Sequence, residues 1–122
     1  MEERVGRVTQ GEVYLANVAA RIGFESHPAS AQQLVVVVQG NALNSVLESV
    51  LIVPLVPAAR NMPRFSLDVL VPAAEIHEAS DHVAPVHLLR PVALSRLEPG
   101  PMASISGATL DRLLDKVRRV FR

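Results

Sequence analysis

The sequence predicts an α+β domain: a small, mainly antiparallel, barrel-like sheet of five or more strands with an amphipathic helix at its C-terminal end. Apolar, β-branched runs at residues 34–38 and 50–56 predict strands. Nine prolines and six glycines separate such runs, so the chain turns often. After Ser106 the apolar residues change to three- and four-residue spacing, which predicts the helix.

The first strand is expected over residues 12–18, where Val13, Tyr14, Leu15 and Val18 mix with small polar residues. A long loop follows over residues 19–33. It holds Gly23, Pro28, Ser26 and Ser30 without sustained periodicity, and loops of this length in compact domains are usually functional or mobile. Residues 34–38 and 50–56 read as strands buried on both faces and paired in one sheet, with Pro54 marking an edge or bulge. Residues 64–69 alternate polar and apolar, the pattern of a strand with one wet face, and are expected to flank the buried pair before stopping at Pro72. Residues 82–89 read as a weaker strand interrupted by Pro85. The prolines around Gly100 predict a turn over residues 97–102, where the sheet is expected to end. In the helix, Leu110, Leu113, Leu114, Val117, Val120 and Phe121 form the apolar stripe, and Ser106 reads as the N-cap. The basic Lys116, Arg118, Arg119 and Arg122 complement the dipole at the far end.

A chain of 122 residues with 49% hydrophobic content suits one domain over 1–122, and with 3% aromatic residues its core must be aliphatic. The absence of cysteine excludes disulfides and thiolate metal sites and fits a reducing, cytoplasmic compartment. Twelve basic and twelve acidic residues cancel, so any contact with nucleic acid must be local. No apolar stretch approaches the ~20 residues of a membrane span, and no membrane partner is expected.

Chemistry-bearing residues cluster in the long loop. Arg21, Glu25 and His27 combine a cation with a near-neutral base, a set able to run acid–base chemistry. They read more readily as solvated loop charges. Arg60, Asn61 and Arg64 follow the second buried run and suit either phosphate contacts or a solvated rim. Tyr14 and Phe24 are the only rings near this end, so base stacking is thinly supplied. His77, His82 and His87 recur every five residues, but one strand through His82 and His87 would place them on opposite faces, and Glu75, Glu78 and Asp81 fall in an expected loop. No metal site and no cofactor is assigned. Ser95 and Ser104 lack a nucleophile-elbow context.

Four segments then stand in a fixed order: GEVYLANV at 11–18, QLVVVVQGNALN at 33–44, VLIVPLV at 50–56 and RPVALSRL at 90–97. This series resembles the MazF/PemK family of toxin ribonucleases over nearly the whole chain from Gly11. In that family a GDVYW-like strand leads into a loop ending in Arg-Pro, which opens a VLVVSND-like strand. Here Gly11-Glu12-Val13-Tyr14 and residues 35–41, with Asn44, match, whereas Gln33-Leu34 replaces Arg-Pro. The family's VPLT or VPLS is matched by Val53-Pro54-Leu55-Val56, and its later arginine-leucine pair by Arg96-Leu97. Gly23-Phe24-Glu25 resembles the Gly-x-Glu ahead of the family's Arg-Pro.

The resemblance implies metal-independent cleavage of single-stranded RNA by the neighbouring 2′-hydroxyl, a homodimer, and a small antitoxin whose acidic tail occupies the RNA groove. The family's catalytic Arg and Thr/Ser positions hold Gln33 and Val56. A Gln can orient a phosphate but carries no charge, and Val has no polar atom, so cleavage is expected to be weakened or absent unless Arg21, Glu25 and His27 supply it. Gln33, Asn41, Arg60 and Arg64 are the RNA-binding candidates. Positions 33 and 56 are expected to be partly exposed at strand ends. Ala58, Ala59, Met62 and the helix are expected at partner contacts. Two functions follow: an endoribonuclease toxin (mRNA interferase) of a type II toxin–antitoxin pair, or a catalytically degenerate toxin-fold module acting through antitoxin, nucleic acid or a CcdB-like protein target.

Overall fold

The computed structural model describes residues 7–17, 32–58 and 66–121. In chain order the elements are β1 (Glu12–Asn17), β2 (Gln32–Val37), α1 (Asn41–Asn44), β3 (Ser49–Pro54), β4 (Val56–Pro57), β5 (Asp68–Val71), α2 (Ala73–Ile76), β6 (His82–Pro85), β7 (Arg90–Ala93), β8 (Ala103–Ser104) and α3 (Gly107–Val120). One antiparallel sheet has the order β7-β3-β2-β1-β8 and a second has the order β4-β6-β5. The α+β class and the terminal helix are as expected, with the strands divided between two sheets.

The unbroken valine runs follow from burial on both faces. Val36, Val53 and Val13 point to the side filled by Val69, Val71 and Ala84 from the second sheet, Val86 from the turn after β6 and Leu113 from α3. Val35, Val37, Val50 and Ile52 point the other way, against Val8, Val92, Leu94 and Leu97. A strand with both faces buried has no wet positions to hold polar residues, so the period-two signal disappears. Each such side chain contributes about 1.5–3 kcal/mol when fully buried.

Pro54 is the last residue of β3, paired with Val35 on one side, while β7 reaches only to Ile52 on the other, so it sits at a local edge as expected. The chain changes sheets across one residue: the Leu55 N–H donates to Leu34 O at 2.8 Å, and Val56 then pairs with Val83. Lacking an N–H, proline suits a point where the ladder is about to be abandoned.

Four local expectations need correction. β2 opens at Gln32, so Gln33 belongs to the sheet rather than to the loop. The alternating run at 64–69 gives strand only from Asp68, because Ser66 and Leu67 form a turn, and this strand lies in the second sheet beside β6 instead of flanking the buried pair. The sheet does not end at the turn around Gly100. β8 follows it and pairs with β1, Glu12 opposite Ser104. Glu75 is not in a loop but on α2, beside the start of α3, where its carboxylate accepts the Ser106 N–H (2.9 Å) and hydroxyl (3.0 Å).

Ser106 is the helix N-cap, its hydroxyl oxygen accepting the Thr109 N–H at 3.2 Å. Gly11 has φ of +93°, a conformation that strains any residue with a Cβ, and its backbone joins β2 and the approach to α3 through Gly11 N–H to Val37 O (2.8 Å) and Ile105 N–H to Gly11 O (3.0 Å). No helix of the described residues is long and apolar enough to cross a membrane.

Candidate functional site at one end of the five-stranded sheet

Three strand ends converge where β1 finishes, β2 begins and β3 passes into β4. Ala16 pairs with Gln33 and Asn17 with Gln32, while Leu97 bridges Ala16 from the opposite side of β1. On β2's other side, Val35 opposes Pro54 and the Leu55–Leu34 hydrogen bond continues the ladder. Leu97, Ala16 and Gln33 therefore form a row across the sheet end. Val56 follows one residue after the Leu55–Leu34 bond, where the chain leaves this sheet to pair with Val83 of β6.

Their environments differ. Val56 is half-buried, as expected for a strand end, whereas Gln33 is only 7% exposed, against the expected partial exposure. The cause is the period of two: Gln33 shares its face with Val35 and Val37, which lie in the core. Its Oε1 is buried and accepts no hydrogen bond among the described residues. An amide oxygen in that state carries a desolvation cost of about 1–3 kcal/mol that an apolar side chain would avoid.

Arg96 enters at the same end. It closes a 3₁₀ turn, Leu94–Arg96, whose buried Leu94 and Leu97 flank it in the core. The backbone is fixed on both sides, by Leu94 N–H to Glu48 O (2.8 Å) and Glu98 N–H to Leu15 O (2.8 Å). The side chain is exposed, and Nη1 donates to Asn17 O at 3.3 Å. The sequence marked Arg96 only as half of the arginine-leucine pair. Its place beside the end of β1 depends on the Leu97–Ala16 bridge, which no local pattern reveals.

Asn41 does not join this end. It starts α1 beyond the other end of β2, and its Oδ1 accepts the Gln10 N–H (2.8 Å) and Asn44 Nδ2 (3.2 Å). Asn44 is buried and also donates to Gln39 O at 2.9 Å, so these amides brace a turn. Arg21, Glu25, His27, Arg60, Asn61 and Arg64 lie outside the described residues, as do Ala59 and Met62. Ala58 is described, its N–H donating to Asp81 O at 2.9 Å.

The histidines do not gather. His82 is buried, with Nδ1 3.1 Å from Ser80 O, His77 caps α2 in the left-handed conformation, and His87 lies in the 3₁₀ turn Val86–Leu88 rather than on a strand with His82. Among the described residues no three His, Asp or Glu side chains are placed to hold a metal ion. A separate groove of about 340 Å³ lies between β5 and α3, lined by Asp68, Val69, Leu70, Arg112, Asp115 and Lys116. Two carboxylates and two cations in its lining cancel, so it favours neither an anion nor a cation.

Comparison with known proteins places this geometry. No curated protein sequence matches the chain. Solved structures do: MazF from Deinococcus radiodurans superposes with a TM-score of 0.70 at 16% identity, covering 94% of this chain and 96% of that one. The MazE-MazF Form-II structure from Deinococcus radiodurans has a TM-score of 0.68 at 15% identity, over 94% of this chain and 95% of that one. An endoribonuclease in complex with its cognate antitoxin from a Mycobacterial species has a TM-score of 0.68 at 16% identity, over 93% and 94%. At such identities the likeness establishes the fold. The family model for PemK-like, MazF-like toxins of type II toxin-antitoxin systems matches residues 9–121, a span that takes in β1, the row at the sheet end and α3, and the chain therefore belongs to that family.

Proposed function

We propose that this chain is the toxin of a type II toxin–antitoxin pair, an endoribonuclease-type protein that engages single-stranded RNA at the sheet end formed by Gln33, Val56 and Arg96. The observation that carries the reading is the convergence of the strand ends that carry Gln33, at the start of β2, and Val56, just past β3, in a fold shared with MazF structures. Antitoxin-bound structures among its structural relatives support a cognate antitoxin as partner, and a cytoplasmic homodimer is the assembly proposed with it.

The chemistry at the described positions is thin. Cleavage through the 2′-hydroxyl needs a proton acceptor and a group that stabilises charge building on phosphorus. Gln33 offers a neutral amide and Val56 a hydrocarbon surface, so acid–base groups would have to come from Arg21, Glu25 or His27. RNA held at the sheet end without rapid cleavage is the second reading, a binding module of the toxin fold. The buried Gln33 and apolar Val56 favour it.

Incubating the purified protein with a long mixed-sequence RNA, with and without EDTA, separates the two. Sequence-specific cuts insensitive to EDTA establish the enzyme, and RNA bound but uncut establishes the module. The variant Gln33→Arg with Val56→Thr restores a cation and a hydroxyl and is expected to raise cleavage by about 10²–10³. Loss of wild-type cutting on His27→Ala or Arg21→Ala would instead place the chemistry in the loop.

A further inference from the structure

We propose that Arg96 contacts the phosphate backbone of a single-stranded nucleic acid laid across the ends of β1 and β2. The inference rests on the RNA reading above and names the charged group that the described site offers. Affinity for nucleic acid comes mainly from cations meeting phosphates, yet position 33 carries a neutral amide and the chain has no net charge to attract RNA from a distance. Among the described residues, Arg96 is a cation held at this end.

Its placement is fixed while its head group stays exchangeable. The turn that carries it is pinned by buried Leu94 and Leu97 and by hydrogen bonds to Glu48 O and Leu15 O, so the start of the side chain has little freedom. The guanidinium, in contrast, is exposed and makes one long hydrogen bond, 3.3 Å, to a backbone carbonyl. A charge-assisted bond to a phosphate oxygen forms at about 2.7–2.9 Å, and the planar fork can make two in parallel, so phosphate displaces the carbonyl readily. Arg7 is paired with Glu48 and Arg119 with Asp115, whereas Arg96 has no carboxylate partner among the described residues. Asn17, which receives the Arg96 bond, pairs with Gln32 on its other side, so Arg96 and Gln32 flank the end of β1 from its two sides and a strand laid across that end meets both.

Fluorescence anisotropy of a labelled single-stranded RNA and of the DNA of the same sequence tests this with wild type, Arg96→Ala, Arg96→Lys and, as a control at the other end of the sheet, Arg7→Ala. Arg96→Ala should weaken RNA binding roughly ten-fold and reduce the salt slope by about one, with the same factor for DNA because a phosphate contact ignores the sugar. Arg96→Lys should recover part of the loss, and Arg7→Ala should bind as wild type does. Thermal melting should be unchanged in Arg96→Ala, since the side chain is exposed. RNA binding by wild type with an unaltered Arg96→Ala, or a loss with no change in salt slope, overturns this inference alone. A wild type that binds no RNA overturns it together with the RNA reading.

Discussion

Glu75 and Ser106 are joined twice: one carboxylate oxygen of Glu75 accepts the Ser106 backbone N–H at 2.9 Å and the other accepts its hydroxyl at 3.0 Å. The second oxygen also accepts the Thr109 hydroxyl at 3.0 Å. A short helix in the middle of the chain therefore caps the terminal one, and the negative charge sits at the positive end of the α3 dipole.

This cap should be visible in the pH dependence of stability. Burial acts to raise the Glu75 carboxyl, but the hydrogen bonds from the Ser106 backbone and hydroxyl and from Thr109, with the Arg112 charge, outweigh it and hold the pKa below its ordinary value. A carboxyl depressed by folding stabilises the fold above its unfolded pKa and loses that contribution as pH falls through the folded one. Glu75→Ala is expected to cost about 1–3 kcal/mol at neutral pH. In thermal melts the gap from wild type should narrow below about pH 4.

Gly11 should resist replacement. Its φ of +93° and the Leu110 Cδ2 found 3.4 Å from where a Cβ would lie predict a loss of about 1–2 kcal/mol for Gly11→Ala, read as a lower urea midpoint with unchanged slope.

Gln33→Leu separates stability from function. Removing a buried oxygen that accepts no hydrogen bond should leave stability unchanged or raise it by about 1 kcal/mol, while RNA binding or cleavage falls. A clear drop in melting temperature would show that the amide contributes to the fold.

Asn44→Ala should destabilise by about 1–3 kcal/mol, because it strips the buried Gln39 side chain of the partner it donates to at 2.9 Å and leaves Gln39 O without the Asn44 donor. RNA binding should be unaffected at low temperature, since Asn41 and Asn44 lie away from Gln33. A selective loss of RNA binding would place Asn41 back in the site.

What could be read in advance was whatever depends on neighbours in the chain. The valine runs, the turn around Gly100 and the spacing from Leu110 to Val120 each encode one element locally, and each formed. Gln33 and Val56 were marked as a pair through family resemblance, and they lie at the start of β2 and just past the end of β3. The burial of Gln33 was misjudged because a loop end and a first strand residue look alike in sequence. β8 escaped notice because two residues, Ala103 and Ser104, carry no pattern. The roles of Glu75 and Arg96 depend on partners far along the chain, where periodicity is silent.

The pairing of β8 with β1 has a consequence for how the protein comes into being. Glu12 finds Ser104, and Gly11 finds Ile105, only after nearly the whole chain is available, so β1 can be held on both sides only late. Closing such a long loop costs entropy before any contact rewards it, which makes folding slow relative to helical domains. A nascent chain that has emitted β1 to β4 already contains Ala16, Gln33 and Val56, yet lacks the segment that seals the other side of β1. Arrival of β8, rather than of the strands that carry the site, is then the step that closes this sheet.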